Sequence, residues 1–241
     1  MKKLYEKNEL HFSLLWIALY VVLLSLADGV SDSLGISKIV TAPLCVIMAA
    51  ILYFWIRRNG LQEKYGLCRF RGNPKQYLYF LPLILLILPN VWWGWKLNLT
   101  VGETVLYSIS MMCVGFLEEI IFRGFLFTAM CRDHVKHAIV VSSITFGLGH
   151  IVNLLNGRDI PETLLQICYA AAIGFLFTII FYRGKSLWPC IITHGAVNSF
   201  SILANEDNAP VWGDIAGCIF LCAVSLGYVL YILKKTKETG K

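Results

Sequence analysis

Residues 101–123 read VGETVLYSISMMCVGFLEEIIFR, an apolar run that ends in two glutamates and an arginine. A helix needs about 20 mostly apolar residues to cross the hydrocarbon core of a bilayer, and this stretch supplies them. Glu118 and Glu119 interrupt the run where an ionised group costs about 2.5–3.5 kcal/mol on insertion scales. The stretch therefore predicts a transmembrane helix that carries functional charges at its cytoplasmic end.

The composition of the whole chain excludes a soluble domain. Its 241 residues are 57% apolar and 15% charged, and the mean hydropathy is +0.66. Soluble domains are about 45–50% apolar and about 25% charged. The net charge of +6 would suggest nucleic acid as the partner of a soluble protein. Here the basic residues lie between apolar runs, so the predicted partner is the anionic inner leaflet of a bilayer, and no nucleic acid is expected.

Eight apolar runs are long enough to be membrane spans. Backbone groups in lipid must be satisfied within their own segment, which predicts an all-α polytopic protein of about eight transmembrane helices. They would form a single membrane domain over residues 1–241, and the first would be an uncleaved span. Pro82 and Pro89 predict a kink in the third. The predicted spans are His11–Ala27, Lys38–Ile56, Tyr77–Trp95, Val101–Phe122, His137–Leu155, Thr163–Tyr182, Leu187–Ala204 and Val211–Leu233. The fourth is expected to continue past Arg123 as an amphipathic helix on the membrane surface.

The distribution of basic residues predicts the orientation. If the N-terminus is cytoplasmic, 18 of the 21 lysines and arginines fall on cytoplasmic segments. The opposite side then holds only Lys38, Lys96 and Arg158. Because cytoplasmic loops carry the excess of basic residues, both termini are predicted to be cytoplasmic.

The eight cysteines lie mostly inside the apolar runs, and none forms a C-x-x-C pair. In such runs cysteine behaves as a small hydrophobic residue. The spacing therefore predicts no disulfide framework and no thiolate metal site.

The first cluster of polar residues in the apolar runs is formed by Glu118, Glu119 and Arg123. Glu119 and Arg123 are four residues apart, so they share a helix face and can pair. Glu118 is left without a partner on its own helix, and two adjacent carboxylates in a low dielectric do not easily both stay charged. A glutamate in that position can take and return a proton. The alternative is an ion pair at the headgroup level.

Two further clusters contain histidine. Phe146 and His150 share a helix face in the fifth run, where two intervening glycines permit another helix to approach closely. His194 and Asn198 share a face in the seventh run and can polarise a carbonyl or hold a metal-bound water. The alternatives are a core histidine bonded to a carbonyl and an interhelical hydrogen-bonding pair. The predicted topology lets all three clusters line one cavity that opens to the cytoplasm, within a motif-bearing core over about 101–204.

The three clusters, in this order, resemble the motifs of the CPBP family, also called ABI. That family contains CAAX-type prenyl endopeptidases and bacteriocin-processing or self-immunity membrane proteins. The chain matches E-E-x-x-x-R at Glu118–Arg123, F-x-x-x-H at Phe146–His150 and H-x-x-x-N at His194–Asn198, without departure. The motifs cover about a third of the chain.

The resemblance implies a role for each motif residue. Glu118, together with His150, would activate the attacking water. His194 and Asn198 would stabilise the oxyanion. Glu119 and Arg123 would orient these groups. Family members have been described both as metalloenzymes and as glutamate proteases. Two alternatives therefore stay open: a divalent metal such as zinc held by Glu118, His150 and His194, or no metal and Glu118 as general base.

The predicted function is an intramembrane endopeptidase in the plasma membrane of a bacterium, with its active site facing the cytoplasm. It would cut a peptide or membrane-anchored protein near the inner interface. A bacterial source favours a secreted peptide, pheromone precursor or bacteriocin leader, and a eukaryotic source favours a prenylated C-terminus. The sequence carries no signal for an oligomeric state. The rival interpretations are a non-catalytic scaffold or bacteriocin self-immunity protein of the same fold, and a small proton-coupled transporter, although no internal repeat supports the latter.

Overall fold

A computed structural model describes residues 1–154 and 157–236 of the chain, and no β-strand occurs within them. These residues confirm the predicted all-α polytopic membrane fold. The described part of the chain forms ten α-helices: α1 (Lys2–Lys7), α2 (Glu9–Ser33), α3 (Thr41–Arg58), α4 (Leu81–Ile84), α5 (Val101–Glu118), α6 (Thr128–Cys131), α7 (Val135–Gly149), α8 (Ile160–Gly184), α9 (Trp188–Ser201) and α10 (Gly213–Lys235).

Six helical segments in the described residues are long and apolar enough to cross a membrane. They are α2, α3, Val101–Cys131, Val135–Leu154, α8 and α10. Large apolar side chains cover their outer surfaces; on α10, for example, Ile215, Ile219, Leu226 and Leu230 are all exposed. Apolar patches of this extent are rare on soluble monomers and are what lipid contact requires. The chain is therefore an integral multi-pass membrane protein.

The third predicted span is broken. Instead of one helix over Tyr77–Trp95, the chain forms a 3₁₀ segment (Pro74–Phe80), the four-residue α4 and a second 3₁₀ segment (Leu85–Val91). Three consecutive residues, Leu78, Tyr79 and Phe80, have φ values of 48°, 51° and 63°. Proline contributes no backbone N–H and disrupts the preceding turn, so Pro82 and Pro89 favour short pieces over a continuous helix. The uninterrupted span predicted here is wrong, and the predicted kink is present in a stronger form.

The seventh predicted span is shorter than expected. Helix α9 has 14 residues, which is about 21 Å at 1.5 Å per residue, whereas the hydrocarbon core is about 30 Å thick. The predicted count of eight spans is therefore not confirmed, and the cytoplasmic position of the termini stays a prediction. The predicted end of the fifth span at Leu155 lies outside the described residues, as do Lys237 and Lys241, two of the lysines predicted to be cytoplasmic.

The fourth span continues well beyond its predicted end. Helix α5 passes into a π-helix over Glu119–Phe127 and then into α6, giving a continuous segment of 31 residues. Every residue of the π-helix is buried, so the amphipathic surface helix expected beyond Arg123 is wrong. Glu118 consequently lies within the span and not at its end. A π-helical stretch inside an α-helix often marks a functional site.

The interior is divided between two apolar clusters. One is built by α2, α3 and the π-helix, and it includes Phe12, Leu52 and Phe125. The other lies between α8, α10 and the broken segment, and it includes Phe177 and Tyr228. The two glutamates of the first motif lie at the junction of α5 and the π-helix, beside the first of these clusters.

Candidate active site

Two glycines bring the backbones of α5 and α9 into contact. A Cβ atom added to Gly115 would lie 2.6 Å from the backbone nitrogen of Gly195, which is shorter than any ordinary contact. A Cβ atom added to Gly195 would lie 3.1 Å from the Cα atom of Met112. Small residues at a helix interface permit such an approach. Because Gly195 follows His194, this contact places the histidine beside Glu118 and Glu119.

Gly115→Ala is therefore expected to destabilise the protein by about 1–3 kcal/mol, the usual cost of overpacking a tight interface. The measurement is the unfolding midpoint of the purified protein in detergent. Gly102→Ala is the matched control, since Gly102 is on the same helix and has no atom near its missing Cβ. If both variants unfolded at the same midpoint, α5 and α9 would not be tightly packed at Gly115.

The Glu119 carboxylate holds both Arg123 and His194. Arg123 Nη1 donates to Glu119 Oε1 at 3.0 Å, and His194 Nδ1 lies 2.9 Å from the same oxygen. The side chains of Glu119 and Arg123 are both 0% exposed. Because an ionised carboxylate only accepts, an ionised Glu119 pairs with a His194 ring that donates from Nδ1, and Nε2 then faces the other side. The predicted Glu119–Arg123 pair is present, and it also orients a histidine on another helix.

Arg123 is enclosed by aromatic side chains. Its guanidinium carbon is 4.0 Å from the ring centroid of Phe146 and 5.9 Å from that of Phe177, within the range of cation–π attraction. Gly174 makes room for it, because a Cβ there would lie 2.8 Å from Arg123 Nη2. Arg123 Nε and Nη2 have no hydrogen-bond partner among the described residues. The buried cation therefore depends on Glu119 and on the two phenyl faces.

Glu118 is held by a tyrosine from the first long helix. Tyr20 Oη donates to Glu118 Oε1 at 2.6 Å, and His194 Nε2 lies 3.3 Å from Glu118 Oε2. Glu118 Oε2 is buried and accepts no hydrogen bond from the described part of the chain. Oε1 of Glu118 is thus fixed by a hydrogen bond, whereas Oε2 faces the histidine and can still accept a hydrogen bond.

Tyr20 is a residue of the candidate site that the sequence did not reveal. The only signal was a tyrosine inside an apolar run, because a buried tyrosine hydroxyl usually finds a hydrogen-bond partner. The partner lies 98 residues further along the chain. Sequence spacing therefore did not identify it.

The second histidine of the motifs borders the same phenyl ring as the first. The rings of His150 and His194 each lie edge-on to Phe146, with a centroid separation of 5.6 Å in both cases. His150 is half-buried at the end of α7. The phenylalanine of the second motif thus arranges Arg123 and both histidines around one ring.

Asn198 follows His194 by one turn of α9 and is half-buried. The broken segment supports this turn, since the Asn90 amide donates to the Val197 carbonyl at 2.7 Å. The structure thus places Asn198 on the same helix as His194, four residues further on.

The three residues predicted as possible metal ligands do not form a preassembled metal site. Ligands of one zinc ion lie about 2.0–2.2 Å from it, so their donor atoms are within about 3.5 Å of one another. The donor atoms of Glu118, His150 and His194 do not all lie within 4.8 Å of one another. Within the described residues, only the donor atoms of another group, three cysteines, meet this distance. Both ring nitrogens of His194 already face carboxylates. This arrangement therefore does not fit a resident zinc ion.

Comparisons with known proteins find a match over the part of the chain that holds the motifs. Residues 100–200 match the family model described as "Type II CAAX prenyl endopeptidase Rce1-like". Over 96 residues, 39% of the chain, the sequence is 31% identical to a protein of Bacillus subtilis (strain 168) named "Putative membrane peptidase YdiL". The match spans about a third of that relative, 35% of its length. No solved structure matches the chain. Residues 100–200, which hold all three motifs, are thus similar to the Rce1-like family, and this similarity confirms the CPBP resemblance for that region.

Proposed function

We propose that this protein is an intramembrane endopeptidase in which Glu118 activates water against a peptide bond. One observation carries the proposal. A carboxylate whose side chain is only 12% exposed has one oxygen fixed by Tyr20, while the other lies 3.3 Å from a histidine that is itself held by a Glu119–Arg123 pair. Preorganised proton acceptors and donors of this kind are what hydrolysis by water requires. The match of residues 100–200 to the Rce1-like model supports the same class of reaction.

The proton transfers of the proposed reaction balance on Glu118 alone. Glu118 Oε2 takes a proton from the attacking water, and the hydroxide oxygen bonds to the carbonyl carbon of the substrate. The tetrahedral intermediate then collapses as the bond from carbon to nitrogen breaks, and Glu118 returns the proton to the leaving amine. The products are a carboxylic acid and an amine, and no covalent enzyme intermediate forms.

The remaining motif residues stabilise charge in this proposal. His194 donates from Nε2 to the oxyanion when its ring carries both protons, and Glu119 keeps the ring in place from the other side. Asn198, one turn further on the same helix, supplies an amide donor to the same oxygen. His150, beside Phe146, shares the positioning of the water with Glu118. Removing one such oxyanion donor typically costs about 10²–10³-fold in kcat.

The substrate proposed is a peptide or membrane-anchored protein cut within the bilayer region of the enzyme. The name of the family model points to proteins that end in a prenylated CAAX sequence. The relative from Bacillus subtilis is named only as a membrane peptidase. A secreted peptide precursor is therefore the second class to be tested beside a prenylated C-terminus, and the cytoplasmic face is the side proposed for cleavage.

The test is cleavage by the purified protein in lipid vesicles of a peptide panel, part of it farnesylated, read by mass spectrometry. Wild type is compared with Glu118→Gln, with and without a chelator. Cleavage that is lost in the variant and unaffected by the chelator would support glutamate chemistry without metal. Loss on chelation, restored by zinc, would contradict the general-base mechanism. A Glu118→Gln protein that retained its cellular function would contradict the peptidase and favour the scaffold.

Tyr20→Phe is expected to lower kcat by roughly tenfold or more and to leave KM nearly unchanged. A hydrogen bond to a charged group is worth about 1.5–3 kcal/mol, and each 1.4 kcal/mol is a factor of ten. The substitution removes only the hydroxyl that orients Glu118. Steady-state kinetics with the best substrate of the panel provides the measurement.

Tyr228→Phe is the matched control for Tyr20→Phe. Tyr228 is also buried and also donates one hydrogen bond, but to the backbone carbonyl of Tyr77, away from Glu118. It should lower the unfolding midpoint by a similar amount and leave kcat intact. Equal losses of kcat in both variants would show that Tyr20 acts through general stability and does not position Glu118.

A further inference from the structure

Three cysteines come together between α8 and α10. Cys168 lies on α8, and Cys218 and Cys222 lie one turn apart on α10. Their three sulfur atoms are all within 4.8 Å of one another, and those of Cys168 and Cys222 are 4.0 Å apart. No other trio of histidine, cysteine or acidic side chains in the described ranges, 1–154 and 157–236, is packed so closely. The sequence predicted no thiolate site, because Cys168 and Cys222 are 54 residues apart and lie on different helices.

The spacing of the three sulfurs is close to that around a single metal ion. Bonds from zinc to sulfur are about 2.3 Å long, so three sulfurs bound to one such ion lie about 3.8–4.0 Å apart. The Cys168–Cys222 pair already has this separation. Cys218 donates to the Leu165 carbonyl at 3.6 Å, and its sulfur lies within 4.8 Å of the other two.

The donor set selects the kind of ion. All three donors are sulfur, and thiolates prefer soft or borderline ions such as Cu(I), Zn(II) and Cd(II) over Mg(II) or Ca(II). Three thiolates leave a net charge of −2 with a monovalent ion and −1 with a divalent one. Because a net charge is costly in an apolar environment, the divalent ion is favoured here.

All three cysteines lie in the first half of their helices. Cys218 lies five residues after Gly213, where α10 begins, which is about 8 Å along the axis. Cys168 is exposed, while Cys218 is buried and Cys222 is half-buried. Cys168 therefore lies on the outside of the helix bundle, and the other two thiols are covered to a greater extent.

We propose that Cys168, Cys218 and Cys222 bind one divalent thiophilic ion of the zinc class and thereby fasten α8 to α10. Binding replaces the thiol protons, which leave to the solvent, by bonds from sulfur to metal. Helix α8 also carries Gly174, which accommodates Arg123, so the proposed clamp holds the helix that covers the candidate active site. The proposal stands apart from the proposed peptidase activity, since none of its three residues belongs to the motifs.

The experiment is a titration of the purified full-length protein with Cd²⁺ in a non-thiol reductant, followed by the ultraviolet charge-transfer band of cadmium–sulfur bonds. Wild type is expected to bind one equivalent with saturation and to unfold at a higher temperature when loaded, because ligands of the folded state stabilise it. Cys168→Ser is expected to lose both the band and the thermal shift. Its thiol is exposed, so the variant should fold as wild type without metal.

Cys113→Ser is the matched control, since Cys113 is half-buried on α5 and lies outside the group. It should bind cadmium as wild type does. If Cys113→Ser and Cys168→Ser reduced the band equally, or if wild type bound no cadmium, the site would not exist. Cys222→Ala, which removes a second ligand on the other helix, must behave as Cys168→Ser. Retention of the full band by this variant would also overturn the proposal.

Discussion

Glu118→Gln is expected to lower peptide hydrolysis by about 10²–10⁴-fold, the usual contribution of a general base. The amide keeps the shape of the carboxylate and can still accept from Tyr20, but it takes no proton from water. The substitution breaks no hydrogen bond to Glu118 Oε2, because this oxygen accepts none from the described residues. The rate of cleavage of the best substrate of the panel provides the measurement.

The folded protein should tolerate this change. An amide in place of a buried carboxylate removes a group that is costly to desolvate, so the unfolding midpoint is expected to stay the same or to rise. Glu103→Gln is the matched control, since Glu103 is a glutamate of the same helix that forms a capping box with Thr100 at its start. It should retain full activity. If Glu118→Gln cleaved at more than a tenth of the wild-type rate, another residue would be the base.

Arg123→Ala is expected to destabilise the protein by about 3–5 kcal/mol, because it leaves the Glu119 carboxylate buried without its counter-charge. Both side chains are fully buried at a separation of 3.0 Å. Loss of the guanidinium also leaves the face of Phe146 without its cation, 4.0 Å from the ring centroid. The measurement is the free energy of unfolding in a denaturant titration of the purified protein.

Two comparisons separate the charge effect from other causes. Arg132→Ala removes an exposed arginine that pairs with Glu9 at 3.4 Å, and exposed pairs contribute about 0–1 kcal/mol. The double variant Glu119→Gln with Arg123→Met removes both buried charges and should recover much of the lost stability. It should remain inactive, since His194 then has no carboxylate on Nδ1. A single Arg123→Ala variant as stable as Arg132→Ala would contradict the buried ion pair.

The sequence led to several of the residues that the structure brings together. An ionisable side chain in an apolar run is costly wherever the run lies in the bilayer, so Glu118, Glu119 and His194 stood out without any knowledge of packing. The pairing of Glu119 with Arg123 also followed from their spacing on one helix. The catalytic roles of all six motif residues stay predictions until the variants are measured.

The depth of the site was harder to predict. Hydropathy placed the end of the fourth span at Phe122, because a charged residue such as Arg123 after an apolar run usually marks the end of a membrane span. In the structure the chain passes through a buried π-helix to Cys131, since Glu119 and two phenyl rings neutralise and cover the arginine. The prediction of an uninterrupted third span was wrong for a different reason. Hydropathy counts apolar side chains and does not register how two prolines break the backbone hydrogen bonds.

By itself the sequence determined that the chain is an all-α membrane protein and which polar residues it carries through the bilayer. Both follow from the cost of transferring each segment from water to lipid, a property of the segment alone. Only the tertiary structure decided that Tyr20 holds Glu118, that Glu119 orients His194 and that three cysteines meet. These contacts join residues 98, 75 and 54 positions apart. They arise from how closely the helices pack, and that depends on every neighbouring side chain and not on local spacing.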